Sequence, residues 1–458
     1  MALLRTESYK KGIIYSSAFN VGGKALAFFQ QWLIGYYFGT TSGTDIFFLT
    51  YNLVLYVSFF FLNMTTSVLI PEAIKLRNRE NDDKSKAFLN TFVYIYGAVG
   101  LILVPLLNID TAGLFSRISS FSHQVIADNL TLIRWATPLV LLNALTLLLT
   151  EIMASYKYFT IPNIVNAINS LLAVAFLCLF HNQLGFKAIV VGLLVGSTFN
   201  LIVLLAMMHR QLHWNFTVFA FARIKSVLSS GLYSQLGYIV YLSALFVPQY
   251  FFTNFSQGSL TAMNYADKIA SIPGIFLITQ ITNVMAIKYN NLVSLGDSQE
   301  VANVTRRLMI YVSGSLFIVA IITSLCSPWI VNILFGFTKF TPEALTLTAN
   351  LLSLMILILP FSFAYNMLQK IFNSYKKQNL VLLIQTVNYG AAMLLYYIFI
   401  PRYGELSFPI IRLIPYAATT LISIALLKHY CRQLPSRLIV TIFLAIAAVT
   451  TLAILHTL

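Results

Sequence analysis

Long apolar runs, each of about 20 residues or more, recur along the chain between short polar breaks, and no leftover segment is long enough for a water-soluble domain. A helix needs about 20 apolar residues to cross a hydrocarbon core of roughly 30 Å. Inside lipid every backbone polar group must be satisfied within the protein, which favours helices over open strands. The pattern places helices at about 12–37, 44–70, 89–110, 130–152, 159–181, 185–208, 227–253, 259–287, 308–335, 343–369, 379–400, 404–427 and 437–458. The expected fold is therefore an all-α polytopic membrane protein with about 13 transmembrane helices. The polar start, Met1 to Lys11, precedes an apolar run far longer than a signal-peptide core, so the first helix is expected to be retained.

Short motifs repeat at matching helix ends. Ser155-Tyr156-Lys157, preceded by Ile152, returns as Ser374-Tyr375-Lys376, preceded by Ile371, and Ala73-Ile74-Lys75 returns as Ala286-Ile287-Lys288. Duplication of a six-helix unit explains the offsets better than chance. An even helix count keeps both copies in one orientation, which predicts two six-helix bundles related by a pseudo-two-fold axis along the membrane normal, with a substrate cavity between them. The expected divisions are 1–213, 214–434 and one extra C-terminal helix at 435–458.

Composition agrees with this picture, since 58% of residues are hydrophobic and 9% charged. The net charge of +15 acquires its meaning from distribution: 21 of the 29 Lys and Arg fall in one alternate set of loops and four in the other. Cations accumulate on cytoplasmic loops, so the N-terminus is expected to be cytoplasmic. Basic clusters such as Arg306-Arg307 are read as contacts with anionic headgroups, and no nucleic-acid partner is expected. Cys178, Cys326 and Cys431 lack metal-ligand spacing and are read as packing residues.

Catalytic chemistry is sparse. There is no Walker-type glycine-rich loop, and the pair His209 and His213 lacks a third ligand nearby. Ionisable groups at membrane depth are costly unless they face a partner or a wet cavity. Lys24, Asp45, Asp267, Lys268, Arg134 and Arg412 therefore carry most of the functional information. Lys24 lies too deep in the first helix to snorkel comfortably, and Gln30 and Gln31 extend a polar stripe beyond it. Arg134 and Arg412 lie near helix ends and are read as headgroup anchors.

The segments "FGTTSGTDIFFLTYNL" (38–53), the Pro71 that closes the second helix, "FTIPNIVNAINS" (159–170) and "MNYADKIASIPG" (263–274) resemble the MurJ/MviN lipid II flippases, over about residues 12–430. The resemblance implies the fold of the multidrug, oligosaccharidyl-lipid and polysaccharide exporter superfamily. It also implies an undecaprenyl-diphosphate-linked saccharide as cargo, in a cavity whose cations suit a diphosphate. Carried across by position, family cations fall on Lys24 and Lys268, while other charged positions fall on Gln30, Gln31 and Ser58 and lose their charge. These five are the expected substrate-binding residues, with Lys24 and Lys268 together holding the diphosphate. Asp45 and Asp267 are the expected gating residues, with Asp45 as partner of Lys268. No cofactor is expected, and a coupling ion or the membrane potential is the expected energy source. The reading is a monomeric inner-membrane flippase in a phospholipid bilayer, not an enzyme. O-antigen or exopolysaccharide repeat-unit flipping is the runner-up, with a cation-coupled drug exporter or a membrane saccharide polymerase behind it.

Overall fold

The structure, a computed structural model, describes residues 9–221 and 224–457. Arg5 and Arg223, two of the orientation-setting cations, and the segment 1–8 lie outside them. All described secondary structure is helical. The long segments are α1 (Tyr9–Phe38), α2 (Ser42–Arg79), α3 (Asp82–Ile109), α4 (Leu130–Ser155), α5 (Thr160–Leu184), α6 (Lys187–Leu212), α7 (Ile224–Phe252), α8 (259–294), α9 (Ser298–Leu325), α10 (Pro342–Ser374), α11 (Gln378–Tyr403), α12 (Ser407–Tyr430) and α13 (Ser436–Thr457). Among the described residues ten of them, all but α1, α7 and α8, are long and apolar enough to cross a membrane.

Helix starts follow local side-chain chemistry. Thr41 and Thr44 form a capping box ahead of α2, Asn81 accepts from the Lys84 amide at 2.8 Å to start α3, and Asp297 accepts from the Glu300 amide at 3.0 Å to start α9. Helix ends carry the mark of duplication. Lys157 and Lys376 both adopt left-handed backbone, at φ 66° and 57°. In both copies the preceding Tyr amide donates to an Ile carbonyl four residues back, Tyr156 to Ile152 at 3.3 Å and Tyr375 to Ile371 at 3.1 Å. Gly185 and Gly404, also at positive φ, end α5 and α11 in the same way.

Pro71 does not close the second helix, contrary to expectation. A π-helical turn at Thr65–Leu69 runs into the proline and the helix continues to Arg79. The wider turn absorbs the missing amide and the ring, while Thr65, Thr66 and Ser67 donate their hydroxyls to carbonyls four residues back. In α8 the order is reversed, with Pro273 followed by a π turn at Gly274–Ile278, and that helix runs on to Ser294. Lys75, Arg77, Arg79 and Lys288 are thus helical, not loop, cations.

The chain divides into two compact units, residues 1–242 and 243–458. In the first, α5 packs on α1 and α6, and α4 packs on α2, α3 and α6. The α5–α6 contact is close because α6 carries Gly192-x-x-x-Gly196, the small-residue spacing that lets membrane helices approach. A Cβ at Gly196 would lie 2.7 Å from the backbone oxygen of Asn169, and one at Gly192 would lie 3.0 Å from that of Ala173. In the second unit the first half of α8 packs on the first half of α10 and the second half on the second. α11 packs on α12, and α13 lies against α12. Of the cysteines only Cys431 is a buried packing residue; Cys178 is exposed on α5 and Cys326 is exposed in the turn just after α9.

Candidate functional site

In the first unit the site is built on α1. Lys24 lies 15 residues from the start of this helix and 14 from its end, about 21 Å of rise from either. Its side chain is exposed on the protein surface. An exposed ammonium at this position is open to water or to an anion. The neighbouring Gly23 faces Ala167 of α5, where a Cβ would meet Ala167 Cα at 3.6 Å, which fixes how α1 presents Lys24.

Asn20, one turn before Lys24, donates from Nδ2 to Asn163 Oδ1 at 3.1 Å. Asn200 on α6 donates to Asn166 Oδ1 at 2.7 Å. Asn163, Asn166 and Asn169 form a polar stripe on α5 that sequence reading passed over, although its three-residue spacing in an apolar helix is a visible signal. Gln31 is half-buried and Gln30 is 7% exposed. Ser58 is fully buried and donates its hydroxyl to the Val54 carbonyl at 2.7 Å, so it offers no open polar group in this conformation. Asp45 is buried in the first turn of α2, where a carboxylate is favoured by the helix dipole.

The repeated Ser-Tyr-Lys motif has a role at the end of α4. Tyr156 donates to Asp82 Oδ1 at 2.8 Å, and Arg77 lies 3.6 Å above the Tyr156 ring while donating to the Ser155 carbonyl at 3.0 Å. Lys86 Nζ pairs with Asp82 Oδ2 at 2.9 Å. Burial first, then the hydrogen bond to Asp82, holds the Tyr156 phenol above its ordinary range. Two cations counted for topology, Arg77 and Lys86, thus also clamp the ends of α2, α3 and α4.

In the second unit Asp267 and Lys268 separate around α8. Arg412 Nη1 donates to Asp267 Oδ1 at 2.7 Å, so Arg412 is an intramolecular ion-pair partner and not a headgroup anchor. The reach of Arg412 from α12 to α8, invisible in sequence, meets a carboxylate 145 residues away and makes pairing preferable to snorkelling. Both partners face a cavity of about 410 Å³. Lys268 is half-buried and is not part of that lining. Tyr265, one turn earlier, is locked between Phe335 and Phe340 at 4.8 and 5.3 Å between ring centroids. The Ser259 hydroxyl, at the start of α8, donates to Glu405 in the loop before α12. Neither side chain was singled out as a partner of α8 from sequence.

The family model described as "Lipid II flippase MurJ" matches residues 34–458. A probable lipid II flippase MurJ from Aquifex aeolicus (strain VF5) is 25% identical over 394 residues, covering 83% of this chain and 76% of that protein. One from Buchnera aphidicola subsp. Acyrthosiphon pisum (strain APS) is 25% identical over 369 residues, covering 75% and 69%. Among solved structures, a lipid II flippase MurJ in an inward closed conformation superposes with a TM-score of 0.77 at 16% identity, covering 97% of this chain and 98% of that one. An inward-facing multidrug MATE family transporter superposes at 0.71 with 12% identity, covering 92% and 94%. At these identities the structural likeness is one of fold.

Proposed function

Because the chain belongs to the lipid II flippase MurJ family, we propose that it carries an undecaprenyl-diphosphate-linked saccharide, lipid II first, from the cytoplasmic to the periplasmic leaflet of the bacterial inner membrane. Alternating access is the mechanism, and the membrane potential or a coupled ion drives it. The observation that carries the reading is Lys24, an exposed cation about midway along the 30-residue helix α1, where an anionic passenger or water can meet it. A diphosphate leaving the headgroup layer needs such a charge, and Lys offers it as a point charge on a flexible stem.

Gln30, Gln31 and Ser58 stand where the family resemblance implies charge, and this favours a second cargo, an O-antigen or exopolysaccharide repeat unit on the same lipid carrier. Complementation separates the two. Expression in a strain depleted of its lipid II flippase should restore growth, and expression in a strain lacking only its O-antigen flippase should leave the surface polysaccharide absent. The reverse pattern would move the assignment to the second cargo.

Orientation is a further expectation. The loop-cation bias predicts a cytoplasmic N-terminus and, with thirteen crossings, a periplasmic Leu458. A phosphatase fused after Leu458 should be active and a fluorescent protein in the same place dark; the opposite pair of signals would show that one crossing has been miscounted.

A further inference from the structure

The cavity beside Asp267 is a long slot. Asp267 and Thr282 both line it, 15 residues apart on α8, or about 22 Å of helical rise. Leu359 and Lys370 line it too, 11 residues apart on α10, or about 17 Å. Since the first halves of α8 and α10 pack together and the second halves likewise, the slot runs along the helices. Asp267 and the Arg412 guanidinium therefore sit toward one end, and Lys370 sits toward the other. Ser271, Ser362 and Asn366 supply polar wall between them. Its charged lining comprises two cations and one carboxylate, which leaves an excess positive charge in a low-dielectric setting.

Arg412 is not saturated. The pair with Asp267 uses Nη1, a guanidinium has five donors, and the side chain is 29% exposed. Asp267 is 45% exposed, so an incoming anion can reach the pair from the slot. An Arg fork that already holds one carboxylate oxygen has the geometry to take a phosphate in its place.

We propose that this slot in the C-terminal unit is an anion subsite for a phosphate or diphosphate group, which Lys370 attracts and Arg412 binds as the incoming oxygen displaces Asp267. Asp267 is then the internal counter-anion that keeps Arg412 paired and in place until the ligand arrives. The proposal rests on the phosphorylated-lipid reading of the function for its biological ligand, but the chemistry stands on the slot alone.

The test uses full-length protein with Ser362→Cys as reporter and the exposed Cys178 and Cys326 changed to Ser. Labelling of residue 362 is followed with a sulfonate-bearing and a trimethylammonium-bearing methanethiosulfonate, in the presence of inorganic pyrophosphate, farnesyl diphosphate or phosphatidylglycerol. The sulfonate reagent should react faster, and both diphosphates should slow it. Lys370→Gln, which leaves the Arg412–Asp267 pair intact, should weaken protection about tenfold, and Asp267→Asn should strengthen it by a similar factor because the competing carboxylate is gone. A purely structural ion pair gives the opposite sign for Asp267→Asn, with weaker or no protection, and that result overturns the proposal. So does protection by phosphatidylglycerol alone, which would make the slot an ordinary headgroup contact. If both diphosphates protect but the protein does not move lipid II, the slot stands and the cargo assignment falls. If lipid II moves while residue 362 labels equally with and without diphosphate, the slot falls alone.

Discussion

Lys24→Ala and Lys24→Met should abolish rescue of a flippase-depleted strain while protein level and membrane insertion stay normal. The side chain is exposed and α1 is held in place by Gly23 against Ala167, so removing the ammonium should leave packing intact. A charge-assisted contact to a diphosphate in a partly wet cavity contributes on the order of 1.5–3 kcal/mol, which corresponds to roughly a ten- to hundredfold loss of capture. Lys24→Arg should keep activity because it keeps the charge. Lys24→Gln separates two roles for this residue. If Lys24 only extends the polar contact that Asn20 makes with Asn163, glutamine should serve nearly as well; if it holds an anion, glutamine should fail.

Gly196→Leu should prevent folding of the first unit. Its Cβ would fall 2.1 Å from the Asn169 side-chain oxygen and 2.7 Å from the Asn169 backbone oxygen, and the second of these cannot move without separating α5 from α6. Overpacking against backbone at a helix crossing costs about 3 kcal/mol or more, a large part of the stability of one unit. Gly97→Leu is the control, because nothing lies within 4 Å of a Cβ there. Size-exclusion profiles of detergent-solubilised protein should show aggregate or no peak for Gly196→Leu and a normal peak for Gly97→Leu. Equal profiles would mean that the small-residue contact does not govern the fold.

The helices were legible because lipid leaves the backbone little choice, and the expected apolar runs overlap helical segments, except that the run at 308–335 is broken at Cys326 into helices ending at Leu325 and starting at Ser327. The duplication was legible from Ser-Tyr-Lys, whose two lysines share a left-handed backbone. Pro71 misled because proline usually ends a helix, and whether a π turn absorbs it depends on neighbouring hydroxyls and packing that no local rule weighs. Arg412 misled for a different reason. Its nearness to a helix end was plain, but its partner comes from a helix 145 residues earlier, and only tertiary contact brings Asp267 to it. Ser58 shows the limit of transferring roles by position, since the residue matches a family site yet its hydroxyl is spent inside its own helix. By contrast the asparagines of α5 were readable at three-residue spacing, and the polar stripe they make with Asn20 and Asn200 belongs beside Lys24 in any account of this surface.

Movement of a diphosphate-linked saccharide between leaflets should depend on Lys24. Purified protein in liposomes carrying fluorescent lipid II, with a membrane-impermeant reductant outside, measures this directly. The reductant should reach the inner-leaflet pool with the unmodified protein and with Lys24→Arg, but only the outer-leaflet pool with Lys24→Gln. Inner-leaflet access with Lys24→Gln equal to that of the unmodified protein would contradict it.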